Sequence, residues 1–427
     1  MVPMTTITDR AKIRAPLPLF ADLEIRRPSR VEAGKEFLDA VRAFSFTGES
    51  TAEFGSAGLR YFVNEFWTSA QRQAHSLHEI SCRAMFKPQL PRFFIERLTA
   101  PGDTVYDPFS GRGTTALEAA LMGRRPIAND INPLSEILVR PRLDPPSLGA
   151  VMTRLRALDL SRLHPTDAEH DLLVFYHPET LREIRALRSY LLERAANGGL
   201  DKVDDWIRMV AINRLTGHSP GFFSVYTMPP NQALSLDSQR KINAKRNQAP
   251  PRRDVAALIL RKTKALLADG PPPAQPAATL LTRPAYQTPE LRDGGVDLVV
   301  TSPPFLDVVD YEGDNWLRCW FAGIKPKSVQ IASHKGVHTW EAFVRDTFRE
   351  LARLVRAGGI VAFEVGEVRG GKILLERHVV DAIRGLPFKV LGVMVNQQEF
   401  TKTANCWGVS NNTRGTNTNQ IVLAERY

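Results

Sequence analysis

Apolar positions along the chain follow two rhythms. Short unbroken apolar runs end at Asp107 (Thr104 to Asp107) and after Val300 (Val296 to Val300), the pattern of strands buried on both faces of a parallel sheet. Weaker runs of the same kind are Pro126 to Ala128, Thr279 to Thr282, Ile360 to Val365, Phe388 to Val395 and Gln420 to Ala424. Helical spacing lies between them. Phe62, Phe66, Phe93, Phe94 and Leu98 predict helix across Leu59 to Leu98, with Pro88 and Pro91 opening its last segment. A helix from the turn after Asp107 to Met122 is stopped by Gly123, and another begins near Leu134. Trp340 to Val355 predicts an amphipathic helix closed by Gly358-Gly359. Strands alternating with helices predict an α/β chain with a doubly wound, mostly parallel sheet.

Residues 145 to 275 break this alternation. Leu181, Ile184, Leu187 and Leu191 mark a helix over Pro178 to Ala196, and Asp204 to Leu215 and Asp254 to Ala268 mark two more. A polar stretch between them holds Gly217 to Gly221 and Met228-Pro229-Pro230-Asn231. Pro271 to Pro273 with Pro276 reads as a stiff connector. The organisation predicted is an irregular N-terminal arm over 1–55, a first catalytic half over 56–140, a helical basic insert over 141–276 and a second catalytic half over 277–427.

With 427 residues, 43% of them hydrophobic, the chain can bury one large domain and a second module. Its net charge of +10 favours a polyanionic partner. Part of that charge is a run of Arg240, Lys241, Lys245, Arg246, Arg252 and Arg253, which is read as suited to phosphate contacts, with a solvated face as the alternative. Cys82, Cys319 and Cys406 are too few and scattered for a disulfide framework or a zinc site; each reads as a small buried apolar residue. None follows a proline. No apolar run approaches the roughly 18 residues of a membrane span, and the N-terminus lacks a signal-peptide core, which predicts a cytoplasmic protein. His75 and His78 lie one helical turn apart without a third ligand nearby, so a packing or polar role is predicted over a metal.

Two segments carry the chemistry. Asp107-Pro108-Phe109-Ser110-Gly111-Arg112-Gly113-Thr114-Thr115 is a glycine-rich turn at a strand's carboxyl end, and Thr301-Ser302-Pro303-Pro304-Phe305 ends another strand. Open parallel sheets bind ligands there. Gly111 and Gly113 allow a close backbone approach, and Asp130, ending the second strand, suits ribose hydroxyls. A dinucleotide site is the competing reading, but Thr114-Thr115 replaces its third glycine, and a phosphate-binding Gly-Lys-Ser/Thr is missing. In the second segment a serine oxygen and a proline carbonyl fixed by consecutive prolines can hold an amine, and Phe305 can stack on a base.

The pair of motifs resembles the DNA amino-methyltransferases, which move a methyl group from S-adenosylmethionine to the exocyclic amine of cytosine or adenine. The resemblance covers residues 75–140 and 277–427, and its order, with the cofactor loop before the Pro-Pro motif, is the alpha type. It implies a seven-stranded sheet. It implies cofactor binding by Phe86, Lys87, Pro88, Asp107, Pro108, Phe109, Gly111, Gly113, Thr114, Thr115, Asp130, Ile131 and Asn132, with His75 or His78 as part of the same motif as Lys87-Pro88. It implies catalysis by Ser302, Pro303, Pro304 and Phe305, whose serine-led form is closer to the N4-cytosine branch than to the N6-adenine branch. Missing from the family pattern is an acid at the end of the third strand, where Arg283-Pro284-Ala285 stands. Asp310, Tyr311, Asn315 and the polar stretch Thr401 to Asn419 are further candidates for the pocket or for DNA. The resemblance makes double-stranded DNA the partner and the insert its recognition region. It also implies a nucleoid-associated protein of restriction-modification or host DNA modification, with a cognate endonuclease as a candidate second partner. The rival readings are an N6-adenine methyltransferase, a non-catalytic DNA-binding protein on a vestigial methylase fold, and an enzyme acting on an RNA amine.

Overall fold

The computed structural model describes residues 33–427 apart from 47, 68–73, 82–85, 162–170, 229–232, 274–277, 305, 307–310, 326–328, 330–335, 367–372 and 398–417. In chain order the elements are α1 (Ala33–Ala43), β1 (Ser45–Phe46), β2 (Glu49–Ser50), β3 (Ala52–Ser56), β4 (Leu59–Asn64), α2 (Gln89–Leu98), β5 (Thr104–Asp107), α3 (Thr114–Leu121), β6 (Arg125–Asn129) and α4 (Leu134–Leu143). The insert supplies α5 (Leu148–Leu158), α6 (Pro178–Ala196), α7 (Lys202–Ile212), α8 (Leu236–Arg246) and α9 (Val255–Leu266). Then follow β7 (Thr279–Leu281), β8 (Val296–Thr301), α10 (Tyr311–Ala322), α11 (Val337–Leu354), β9 (Val355–Val365), α12 (Leu375–Ile383), β10 (Phe388–Gln397) and β11 (Thr418–Arg426).

The main sheet runs β3-β4-β10-β11-β9-β8-β5-β6-β7. Strands β7, β6, β5, β8 and β9 are parallel neighbours, and β11 inserts antiparallel between β9 and β10. The expected seven strands are all present as β5 to β11, but the sheet has nine. The extra pair is the hairpin β3–β4, whose second strand adds parallel to β10.

This corrects two expectations. Leu59–Asn64 is a strand rather than the start of a helix. Its side chains alternate, with Tyr61 entering the core beneath α11 and α12, and Phe62 entering the opposite core with Phe93 and Phe94. Two-face burial hides the period of two that would have marked it. The turn before it is Ala57-Gly58, with φ of 49° and 78°, a left-handed pair that Asn-Gly would have announced and alanine does not. Within the supposed arm, Ala33–Ala43 is likewise a helix, α1, which buries Phe37, Leu38 and Val41 in the same core as Phe62. Residues 1–32 lie outside the described ones. A third difference is local: α11 ends at Leu354 and β9 starts at Val355, so Gly358-Gly359 lies within a strand, where a Cβ on Gly359 would meet Val355 Cγ1 at 2.6 Å.

The sheet has a core on each face. Leu298, Val300, Ile360, Ala362, Ile421 and Leu423 point toward α1 and α2, while Val299, Val361, Phe363 and Val422 point toward α11 and α12. Among the described residues of the insert the regular elements are helices, joined by irregular stretches such as 213–228. Its core is continuous with Leu134 and Leu138 of α4 and with Leu317 and Phe321 of α10, the helix that follows the Pro-Pro motif. Asp254 caps α9 by accepting from Ala257 N at 2.8 Å, and Asp201 caps α7. Cys319 is buried as expected; Cys82 and Cys406 fall outside the described residues. No helix among the described residues is long and apolar enough to cross a membrane.

The hairpin depends on a close approach at β10. Gly392 sits at a register shift with φ of 152°, and a Cβ there would lie 2.7 Å from the Phe62 ring and 2.9 Å from Arg60 O. Gly392→Val is expected to destabilise the protein by about 2 kcal/mol through overpacking against β4. Urea unfolding checks it, and an unchanged midpoint contradicts the assignment of this contact.

Candidate active site

Parallel pairing of β5 with β8, Val105 opposite Leu298 and Tyr106 opposite Val299, delivers both motifs to one edge. Thr301 Oγ1 donates to Asp107 Oδ1 at 2.6 Å, and Phe109 N donates to the same oxygen at 3.1 Å. Thr115 Oγ1 donates to Val300 O at 3.0 Å, tying the start of α3 to β8. Asp107 and Thr301 are both buried. Burial pushes the Asp107 carboxyl up to about 7, against the lowering effect of the Thr301, Phe109 and Thr115 hydrogen bonds.

The glycine-rich loop is held from β6. Ser110 N donates to Asn129 O at 2.9 Å, and the Asn129 amide bonds Pro108 O at 3.3 Å and Arg283 O at 3.0 Å. Asp130 receives Gly111 N at 2.8 Å on one oxygen and Asn132 N at 2.9 Å on the other; burial pushes its pKa up. Asn132 Oδ1 accepts from Leu134 N at 3.0 Å and so starts α4, with Ile131 half-buried beside it. The two glycines do different jobs. Gly111 is exposed with open space where a Cβ would stand, which suits a ligand's approach. Gly113, with φ of 76°, lets α3 start against α4, since a Cβ would lie 2.4 Å from Val139 Cγ2. Pro108 and Thr114 are buried, and Phe109 packs on Phe343 of α11 with ring centroids 5.5 Å apart.

Phe86, Lys87 and Pro88 lead into α2. Phe86 packs on the core of α1 and α2, while burial first and then Arg112 hold the Lys87 ammonium below its ordinary range. His78 is buried and its Nε2 pairs with Glu118 Oε1 at 2.7 Å, the polar contact expected of it; His75 Nδ1 accepts from Leu77 N at 3.3 Å. Among the described residues no three side chains form a metal-binding group.

On the other side of the site, Ser302 is half-buried and hydrogen-bonds Glu364 at the end of β9. Glu364 is itself buried, accepts from Asn419 Nδ2 at 2.9 Å, and is pushed up by burial. Pro303 is buried, and Pro304 O accepts from Trp340 Nε1 of α11 at 2.9 Å, which pins the Pro-Pro turn. Phe305, Asp310 and the stretch Thr401 to Asn417 lie outside the described residues; Asn315 is tied to Arg318 at 2.9 Å.

Sequence reasoning missed Glu364, Ser110, Arg112 and Asn129. Glu364 had one signal, an acid closing an otherwise apolar strand. The sites of Asp107, Asp130 and Ser110 fit a ligand carrying an ammonium and a diol: two buried-edge carboxylates face a loop whose Ser110 Oγ is buried without a hydrogen-bond partner.

The basic run is only partly available. Arg240 pairs with Asp237 at 2.6 Å and Asp171 at 3.7 Å, and Arg252 with Glu179 at 2.5 Å and Glu183 at 3.5 Å. Arg246 lies over the Tyr226 ring at 3.8 Å, and Arg253 is half-buried with its N donating to Thr180 Oγ1 at 2.7 Å. Lys241 and Lys245 are exposed on α8. The residues before α8 reach the catalytic side: Ala233 N donates to Asp314 O at 2.9 Å and Trp316 Nε1 to Leu234 O at 3.1 Å.

A carboxyl raised from its unfolded value near 3.9 to about 7 binds more protons folded than unfolded, so stability falls as pH rises between those values. The ionised group then costs up to about 4 kcal/mol. Asp107→Asn is therefore expected to gain stability over the wild type at pH 8, by about 2 kcal/mol or more, and much less at pH 5. Urea midpoints of the cofactor-free proteins at both pH values check this; an equal difference at pH 5 and 8 contradicts it.

Comparison with known proteins agrees with this geometry. Residues 47–137 match the family model of the DNA methylases. The chain is 33% identical over 72 residues to the type II methyltransferase M.MjaII of Methanocaldococcus jannaschii, covering 17% of this chain and 13% of that one. It is 23% identical over 299 residues to the type II methyltransferase M.BsoBI of Geobacillus stearothermophilus, covering 60% and 54%. The chain thus matches about half, or less, of the length of these relatives. Among solved structures, the rRNA methyltransferase aviRa of Streptomyces viridochromogenes is similar at 14% identity over 82% of this chain and 89% of that one, with a TM-score of 0.28. Over residues 47–137 the chain is similar to the DNA methylases, and over stretches of 72 and 299 residues to two type II methyltransferases.

Proposed function

We propose that this protein methylates an exocyclic amine of a base in duplex DNA, and that the amine is N4 of cytosine. The observation that carries the reading is the 2.6 Å hydrogen bond from Thr301 to Asp107, which puts the residue before Ser302 against the acid of the cofactor loop. S-adenosylmethionine, when bound, supplies a methyl group on a positively charged sulfur. Asp107 and Asp130 would hold its ammonium and ribose ends, with Ser110 Oγ as a further partner and Lys87 on the α2 side.

The base amine is a poor nucleophile because its lone pair is delocalised into the ring. Ser302 Oγ and the Pro303 carbonyl would accept its two N–H groups and favour a pyramidal nitrogen. The prolines and the Trp340 contact keep those acceptors fixed, so that the gain is orientation rather than covalent chemistry. Phe305 would stack on the base. Methylation makes the nitrogen cationic, and its proton has an exit through Ser302 to Glu364, whose raised pKa makes the ionised form a better base than an ordinary carboxylate.

The insert would read the DNA, with Lys241 and Lys245 on α8 as the phosphate contacts nearest to hand and Arg240, Arg246, Arg252 and Arg253 joining by exchanging their present partners.

Two experiments test the reading. After incubation with a mixed duplex library and methyl donor, digestion and nucleoside mass spectrometry are expected to show N4-methylcytosine. N6-methyladenine alone defeats the cytosine assignment, cofactor binding without any product points to a vestigial fold, and preferential modification of competing RNA moves the substrate. In the same assay Ser302→Ala is expected to lower turnover by about a hundredfold with donor affinity nearly unchanged. Secondly, replacing Arg240, Lys241, Lys245 and Arg246 with Ala is expected to weaken DNA binding and flatten its salt dependence while cofactor affinity holds. An unaltered salt slope makes the run a solvated face.

A further inference from the structure

A short segment, Ser76 to Ser81, crosses between the insert and the cofactor loop, and its carbonyls are taken up one after another by buried arginines from three different places. Arg142 of α4 donates to Leu77 O at 3.3 Å; Arg112 of the glycine-rich loop donates to His78 O at 3.3 Å and to Ile80 O; Arg318 of α10 donates to Ser81 O at 2.8 Å. Arg142 also donates to Arg112 O, so one guanidinium holds the loop and the segment together. His78 adds its bond to Glu118 of α3, whose other oxygen takes Arg92 Nε at 3.0 Å.

The insert grips the opposite side of the same six residues. Ser76 N donates to Asp269 Oδ2 at 2.8 Å, Ser76 Oγ donates to Leu266 O at 2.8 Å, and Lys262 Nζ pairs with Glu79 at 2.9 Å. These three contacts come from α9 and the residues just after it. The segment is thus held from both sides at once, by α9 and the residues after it on one and, through Arg112 and Arg142, by the glycine-rich loop on the other.

We propose that Ser76–Ser81 is a positioning strap, with Arg142 and Arg112 as its positioning residues, through which DNA held by the insert sets the geometry of the cofactor loop. The inference rests on the DNA-methylating function proposed above. A planar, multiply donating guanidinium spans two backbone segments where an ammonium reaches one, so charge alone does not substitute for it.

The test is the affinity of the full-length protein for S-adenosylhomocysteine, by calorimetry, with and without a duplex that the wild type binds. The wild type is expected to change affinity at least about fivefold when the duplex is present. In Lys262→Ala/Asp269→Ala, which cuts the strap from the insert, that ratio is expected to fall to within about twofold of unity while affinity without DNA stays within about twofold of wild type. Arg142→Lys and Arg142→Met are both expected to weaken affinity without DNA by about tenfold. A wild type that binds both ligands without mutual effect, or a double variant that keeps the full ratio, overturns the strap. A wild type that binds no S-adenosylhomocysteine, or no duplex, defeats the proposed function instead, and the strap's role falls with it. Because the double variant alters polar side chains at the strap's outer edge, its folding is checked by an unchanged urea midpoint, and Arg142→Lys serves as the second arm if it fails.

Discussion

The hydrogen bond between Thr301 and Asp107 is the constraint on which the site depends. It exists because β5 and β8 are neighbours although the insert, β7 and all of β6 separate them in the chain. From β5 the chain moves outward to β6 and β7, then returns to the other side of β5 to form β8. Strand order reverses there, and at such a reversal the loops of adjacent strands part and leave a crevice. Asp107 and Thr301 are the last residues of the two strands that flank it, so glycine-rich loop and Pro-Pro motif meet by topology before any side chain is chosen.

Side-chain chemistry then works against stability at that edge. A carboxyl buried with hydroxyl and amide partners is driven toward its neutral form. Glu364 is in a similar state behind Ser302. On the proposed reading both acids stand where a cationic group would arrive or a proton leave, and proteins commonly give up stability at such points. The rest of the structure supports this edge: Trp340 pins the Pro-Pro turn from one helical layer, and the arginines gathered on Ser76–Ser81 fix the glycine-rich loop from the other.

Much of this was legible in the residues. Apolar runs found β5 and β8 and, more weakly, the other strands from β6 to β11, and their alternation with helices found the α/β class, because a doubly covered parallel strand has a simple signature. The hairpin β3–β4 was not legible: Tyr61 and Phe62 bury opposite faces, and the turn Ala57-Gly58 lacks its usual asparagine. At the site, Asp107, Asp130 and Ser302 could be named because motif and strand end coincide. Glu364 and Arg142 could not. Each matters through a partner distant in sequence, Ser302 for the one and Leu77 for the other, and no local pattern records a tertiary partner. The basic run shows the converse: charge is plain in the sequence, but the ion pairs of Arg240 and Arg252 with Asp237 and Glu179 are a property of the fold.

The most direct test of the account is a double-mutant cycle on Asp107→Asn and Thr301→Val, read as affinity for S-adenosylhomocysteine and as turnover. If the bond between them joins cofactor loop and Pro-Pro motif into one site, the two changes are non-additive by about 1 kcal/mol or more in both readouts. Additive effects, with Thr301→Val altering turnover alone and leaving cofactor affinity untouched, would mean that the two motifs are merely adjacent.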